Sequence, residues 1–572
     1  MTAAALPPAH QDPRRWLTLV IVVMSVVIAA LDGTILNVAI PTILREFHTE
    51  LPSLQWVVTG YSLTFASLLI IGGRLGDIYG ARRVFIIGAS FFGVGSLLAA
   101  VSQSVPTLFL GEALIEGIGA SLMLPSTLSI LSNTFQGRER STAFAAWGAT
   151  GGAAIAFGPV VGGFLTTNYS WRWAFGINVI IVPIAITGAM VFIRKTPTAS
   201  RQPRLDFQGA AMIAFGVFLF VFGLSQGSAY GWLAPIKDLT IGGTVIWPQS
   251  MPVSVIVVTF VLAVAILTAF VFVERAKERS GNDPLFEFGL LRYKGFRYGL
   301  LTTVVLAMGQ FSLLFVLPVL LQDGKHLTAA QNGLWMLPSG LLIIVGAQVG
   351  GRLTRRIGVV SVVRIGLLFE AVGLTTIALV VSPHLTFVSL LPGYLVFGFG
   401  VGFASSQLTN VILSEIPAAK AGSASGANVT SRQIGAALGI AVIGSLISVL
   451  TTSHATSSIR ASGLAPALKA RSLVAVKLDG VNFAPPSGAT SRDVAELRHI
   501  LESAVAAGAR PALFFAATVV AIGAILSLLI PRASLVVTTS PEFEVIETFE
   551  AFDSLDLQRA ATAAERNGPA DR

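Results

Sequence analysis

Four acidic residues lie inside stretches of chain that are otherwise apolar: Asp32, Glu112, Glu116 and Glu370, with Glu415 at the end of another such stretch. An ionisable side chain inside a membrane-length apolar run is costly to bury and usually functional. Asp32 comes about fifteen residues into the first run, roughly 22 Å along a helix rising ~1.5 Å per residue. Glu112 and Glu116 are four apart and share one helix face. Counting along the runs places Asp32 and Glu116 at similar depth. Carboxylates gathered around one apolar cavity repel each other and lose water, and both effects favour taking up a proton. A proton-carrying site needs that behaviour. The plainer alternative is that Glu112 caps a frayed helix end and faces water, and Glu370 has no visible partner.

Other chemistries lack their residues. The chain has no cysteine, which excludes disulfides, thiolate metal sites and cysteine nucleophiles. Its six histidines are scattered singly, outside the interiors of the apolar runs and without metal-ligand spacing. No glycine-rich phosphate loop ending in Gly-Lys-Ser/Thr occurs, and no run pairs a serine with a histidine and an acid. We therefore expect no enzyme, no metal and no cofactor.

The elements that must position the acids are transmembrane helices. Apolar residues make up 53% of the 572, charged residues only 12%, and mean hydropathy is +0.77. A soluble domain carries about 25% charged residues. The runs 17–40, 54–71, 84–101, 107–131, 141–166 and 173–193 form a first group of six. Two more, 207–224 and 253–273, flank a loop holding Trp232 and Trp247. The last six are 299–321, 332–349, 362–381, 387–413, 434–450 and 511–529. Each is about as long as a helix needs to cross ~30 Å of hydrocarbon. The expected fold is an all-α polytopic membrane protein with 14 transmembrane helices in a 6 + 2 + 6 pattern. Its parts would be a six-helix bundle (1–204), two additional helices with a connector (205–297), a second bundle (298–530) and an acidic, disordered tail (531–572). Segment 451–510 would be an outer loop with a short helix near 494–507.

Arginine placement sets the orientation. Arg14/Arg15, Arg74/Arg82/Arg83, Arg138/Arg140, the 194–204 linker and Arg352/Arg355/Arg356/Arg364 all fall on one side, which short arginine-rich loops mark as cytoplasmic. Both termini would then face the cytoplasm. The formal charge of +9 reflects this topology rather than a nucleic-acid partner.

Two halves repeat. Gly72-Gly73-Arg74-Leu75-Gly76-Asp77-Ile78-Tyr79-Gly80-Ala81-Arg82-Arg83 joins the second and third runs, and Gly350-Gly351-Arg352-Leu353-Thr354-Arg355-Arg356 echoes it. Gly117-x-Gly119 has a counterpart in Gly398-x-Gly400-x-Gly402. Repeated halves around a central pathway are a common plan for secondary transporters. The fifth run carries Gly148, Gly151, Gly152, Gly158, Pro159, Gly162 and Gly163, small residues that let helices approach and a proline that bends one.

These residues resemble the fourteen-helix drug:proton antiporter branch of the major facilitator superfamily, over about residues 14–450 and less clearly to 530. The loop Gly73–Arg83 is similar to the superfamily's signature between helices two and three. Leu31-Asp32-Gly33-Thr34-Ile35-Leu36-Asn37-Val38-Ala39-Ile40-Pro41 looks like the branch's first-helix motif, and Gly158-Pro159-Val160-Val161-Gly162-Gly163 like the fifth-helix antiporter motif. Trp171-Arg172-Trp173 followed by Asn178 also fits. The resemblance implies that Asp77 and the arginines Arg74, Arg82 and Arg83, with Gly80 at the turn, form a cytoplasmic charge latch. It implies that Asp32 senses a proton or cation and that the Gly-Pro helix limits leak. One departure stands out. Where the family's fourth helix usually carries an arginine and a glutamine, this chain has Ala113 and Glu116, with Glu112 beside them.

The expected function is proton-coupled multidrug efflux of hydrophobic or cationic compounds across the cytoplasmic membrane by alternating access. The alternative is a dedicated exporter of an endogenous metabolite, lipid or siderophore. Partners would be small-molecule substrates, protons and membrane lipids, with the proton gradient as energy source and the monomer as functional unit.

Overall fold

The computed structural model describes residues 14–48, 51–135, 137–194, 205–241, 244–282, 284–325, 327–417, 420–479 and 489–531. The 195–204 linker, most of the acidic tail and part of the 451–510 loop fall outside the described residues.

Long apolar runs fold as long helices because, in hydrocarbon, only a helix satisfies every backbone group within its own segment. The first six are α1 (Arg15–Phe47), α2 (Leu51–Tyr79), α3 (Ala81–Ala100), α4 (Val105–Thr134), α5 (Gly137–Asn168) and α6 (Trp173–Phe192). The next two, α7 (Phe207–Tyr230) and α8 (Val255–Arg279), are joined by a loop containing a small antiparallel hairpin, β1 (Leu239–Ile241) and β2 (Thr244–Trp247). The remainder are α9 (Lys294–Pro318), α10 (Ala329–Ile357), α11 (Val359–Val380), α12 (Phe387–Ser414), α13 (Ala421–Ala461), α14 (Pro466–Asp479) and α15 (Ser491–Leu526). Asp206 and Ser254 cap α7 and α8 by accepting from Gly209 and Ile256 backbone N–H groups. Thr328, Thr386 and Thr490 open α10, α12 and α15 with reciprocal capping boxes.

Among the described residues, thirteen helices are long and apolar enough to cross a membrane. The expected fourteenth, 141–166, is the 32-residue α5, which is absent from that set although it packs against α1, α10 and α12. The all-α architecture holds, with one small hairpin in the loop that carries Trp247. Two other expectations need correction. The thirteenth helix starts at Ala421 rather than near 434, because the small polar run 421–430 is helical and buried instead of a loop. The loop 451–510 is largely helix: α13 runs on to Ala461, α14 follows, and the expected short helix is the first part of α15.

The two halves meet along two seams, α2 against α13 and α5 against α10, so the second helix of each half faces the fifth of the other. The extra pair lies beside the first seam. Trp56 of α2 stacks on Phe222 of α7 at 6.0 Å, and Trp232 donates to Ser445 of α13 at 2.9 Å. The repeat is also visible in the backbone. Gly80 (φ 89°) and Gly358 (φ 83°) make the same left-handed turn ahead of α3 and α11.

Candidate functional site: a carboxyl cluster beside a central cavity

The segment of α4 from Phe109 to Glu116 is π-helical. Such wide turns are rare and concentrate at functional sites. This one carries both acids of α4 and is seated against α3 by Gly95, where an added Cβ would stand 2.6 Å from the Glu116 nitrogen. With no side chain at 95, Glu116 and Glu112 are held at the level of Asp32 on α1.

The structure brings all three together. One carboxylate oxygen from each of Asp32, Glu112 and Glu116 lies within 4.8 Å of the others. The side chains are 2%, 1% and 0% exposed, so Glu112 does not cap a frayed, hydrated end. Asn178 of α6 bridges the group, its amide donating to Asp32 Oδ1 at 3.0 Å and to Glu116 Oε1 at 3.3 Å. Ser96 of α3 donates to the same Glu116 oxygen at 2.6 Å. Among the described residues, the second oxygen of each acid has no hydrogen-bond partner. Three carboxyls this close cannot all be charged without strong repulsion, which little solvent is present to screen. The arrangement can hold a proton between carboxyls, or balance its charge with a cation.

Glu112 is also one wall of a central cavity of about 220 Å³. Gly33 of α1, Tyr61 and Phe65 of α2, and Trp147 of α5 form the rest of that side. Phe311 of α9 and Val429, Arg432 and Gln433 of α13 form the other. Trp147 is fixed by donating to Thr127 of α4 at 2.9 Å. The cavity is thus lined by both halves, largely apolar, with one acid on the first half and one arginine on the second. Arg432 and Gln433 escaped the sequence reading because the helix was expected to begin after them. Glu370, on α11, is fully buried next to Gly309, and among the described residues both its oxygens lack hydrogen-bond partners.

The glycine-arginine turn sits at one end of the bundle and joins the halves. Asp77 accepts from the backbone N–H groups of Gly422 and Ser423 at 2.7 and 2.8 Å, and from the Ser423 hydroxyl at 2.6 Å. These are the first free N–H groups of α13, where a negative charge is favoured by the helix dipole. Gly73 lets the backbones touch: a Cβ there would lie 2.3 Å from the Gly422 oxygen. Arg140 adds a second tie, donating to the Leu413 carbonyl of α12 at 2.7 Å. Arg74 is buried beside Asp77, Arg82 donates to the Met190 carbonyl, and Arg83 is exposed. This end of the cavity is closed.

On α5, Gly148 packs on Ser406 of α12 and Gly162 on Ile35 of α1, while Gly158 and Gly163 are buried. The side-chain surroundings of Asn37, Gly152 and Pro159 fall outside the described residues. Arg172 is not among the residues bonded to the carboxyl cluster. It pairs with Glu46 at 2.6 Å and donates to the Ser102 carbonyl at 2.9 Å, at the end of the bundle opposite Asp77.

Comparison with known proteins follows this geometry. Residues 22–440 match the family model described as Major Facilitator Superfamily. The chain is 33% identical over 465 residues to the "Probable actinorhodin transporter" of Streptomyces coelicolor, covering 80% of this chain and 76% of that protein. It is 30% identical to the puromycin resistance protein pur8 of Streptomyces alboniger, covering 77% and 84%. It is 26% identical to the riboflavin transporter RibZ of Clostridioides difficile, covering 76% and 88%. Among solved structures, the human organic anion transporter MFSD10 (TETRAN) superimposes with a TM-score of 0.55 at 15% identity, over 90% of this chain and all of that one, a likeness of fold.

Proposed function

Because this multi-pass membrane chain belongs to the major facilitator superfamily, we propose that it is a proton-coupled exporter of hydrophobic and amphipathic compounds, cationic ones included. It would work by alternating access in the cytoplasmic membrane. The observation that carries the reading is the buried Asp32–Glu112–Glu116 cluster opening through Glu112 onto the cavity. In the proposed cycle the empty cluster takes protons from outside and keeps them while the halves rock. It then releases them inward as substrate arrives at Glu112 from the cytoplasm. Asn178 and Ser96 keep the carboxyls aligned for the hand-over. Aromatic faces at Tyr61, Phe65, Trp147 and Phe311 suit flat apolar molecules and attract cations. In this reading the Asp77 end is cytoplasmic, both termini lie there, and the Asp77–α13 contact stabilises the outward-facing state. Drug and antibiotic resistance in the names of relatives supports export.

The same observations admit a narrower exporter of one metabolite, and two relatives named for actinorhodin and riboflavin favour keeping it. Everted membrane vesicles separate these readings. Acidification should drive ethidium accumulation that an uncoupler stops and that Asp32→Asn and Glu116→Gln each reduce at least tenfold at normal membrane levels. If both variants keep full coupled flux, the carboxyl assignment fails. If wild-type vesicles move no ethidium, broad export gives way to the narrow reading.

A further inference from the structure

The polar groups of the cavity are of opposite sign and come from opposite halves. Glu112 faces it from α4, and Arg432 with Gln433 faces it from α13. A guanidinium carries five N–H donors in a planar fork that fits a carboxylate or another pair of anionic oxygens. Arg432 uses one of them in the protein, donating to Gln310 of α9 at 3.0 Å. Among the described residues none of its nitrogens is both buried and without a partner, and the side chain lines the cavity.

The acid that could have tied up its N–H donors does not. Glu370 lies near enough to act on Arg432 electrostatically, yet neither a hydrogen bond nor an ion pair within 4.0 Å joins them. An arginine kept purely for packing would have its donors tied to backbone carbonyls or to that carboxylate. Here Gln310 fixes one edge of the fork and leaves the other edge presented.

We propose that Arg432 reads an acidic oxygen group, a carboxylate or phenolate, on the transported molecule. The favoured substrate is then an amphipathic aromatic compound with an acidic end at Arg432 and, where it has one, a basic end at Glu112. This deepens the export reading and rests on it for the word substrate, although the binding itself does not. The cavity of about 220 Å³ is smaller than the roughly 300–1,000 Å³ of a drug-sized site, so it accommodates the anchoring part of such a molecule in the state described. Contact at two charged poles on different halves also gives the molecule a grip on both, and a bound ampholyte would draw the halves together around itself.

A matched pair of probes isolates the acidic group: norfloxacin, an intrinsically fluorescent zwitterion with a carboxylate, and its methyl ester, which lacks that charge. Binding is measured by fluorescence titration of the purified full-length protein in detergent, and uptake in everted vesicles. Wild type should bind the acid about tenfold more tightly than the ester. Arg432→Gln should remove that preference, and Arg432→Lys, which keeps the charge without the fork, should retain part of it. Equal binding of the two probes by wild type, an unchanged preference in Arg432→Gln, or binding of neither probe overturns the proposal. Preference in binding with no proton-driven uptake of either probe leaves it standing and sinks the export reading instead.

Discussion

At the scale of single residues, the chain contains two kinds of buried or half-buried acid, and their partners distinguish them. Among the described residues the cluster acids each keep one oxygen unpartnered, as a group that must accept and release a proton or ligand would. Glu46 is the opposite case, with both oxygens used: Oε2 takes the Trp171 indole N–H at 2.7 Å and Oε1 takes Arg172 at 2.6 Å. The Trp171 hydrogen bond, with Arg172 alongside, holds the Glu46 carboxyl below its ordinary value of 4.5, against the smaller opposing effect of partial burial. The residue is at the end of a 33-residue helix, roughly 47 Å along, beyond the hydrocarbon. A depressed folded value means the charged form is the one stabilised. The contribution is therefore complete above about pH 4.5 and disappears as pH falls through the folded value. Because the side chain is 43% exposed, solvent screens the pair and the effect is modest. Glu46→Gln should lower the thermal midpoint by on the order of 1 °C at pH 7, and the gap should shrink as pH falls below 4.5 and close once pH passes the folded value. A gap that persists unchanged at low pH would show that the glutamate acts through packing alone.

At the scale of elements, the contact that would hold one conformation in the proposed cycle is a helix N-terminus meeting a carboxylate. Asp77 supplies acceptors to the opening N–H groups of α13, and Gly73 gives the clearance that lets it reach them. With no native cysteine, spin labels can be placed cleanly at exposed Arg83 on α3 and Ser414 on α12, on either side of this closed end. Asp77→Asn keeps the shape but loses the charge, and Gly73→Val removes the clearance. Both should lengthen the Arg83–Ser414 distance distribution in reconstituted protein and cut transport by about tenfold or more. Distances identical to those of the parent would mean this contact does not hold the end shut. Much of this element was legible beforehand: the glycines, Asp77 and the arginines announce a tight turn, and its echo at 350–356 announces the second half. The receiving side was not legible. Ala421-Gly422-Ser423-Ala424-Ser425-Gly426 has the composition of a loop and forms helix only because tight packing against α2 suits small residues. The same misplaced boundary hid Arg432. The co-location of Asp32 with the α4 acids could be read from depth and spacing alone. The π-helical geometry that delivers them, and the bridging position of Asn178, depend on tertiary contacts that one-dimensional spacing does not encode.

At the scale of the whole molecule, two helices outgrow the bilayer furthest. A helix crossing ~30 Å of hydrocarbon needs about 20 residues, yet α13 has 41 and α15 has 36. Their extensions and α14 form a separate small apolar cluster of Ala455, Ile459, Leu464, Val476, Leu497 and Ala504, a helical cap at the end opposite Asp77. None of these residues is among those that line the cavity or form the carboxyl cluster. If transport is the protein's role, the cap is dispensable for flux. If the role were that of a receptor or scaffold, the cap would carry it. Replacing residues 462–489 with a short Gly/Ser linker takes out α14 while leaving both spans intact. Proton-driven flux per molecule should stay within about twofold of the parent. The thermal midpoint should fall, since α13 and α15 lose the apolar surface of Leu464 and Val476 that fills the space between their extensions. Loss of flux with an unchanged midpoint would place the cap inside the transport cycle, as a gate over the far end of the cavity rather than a staple on its rim.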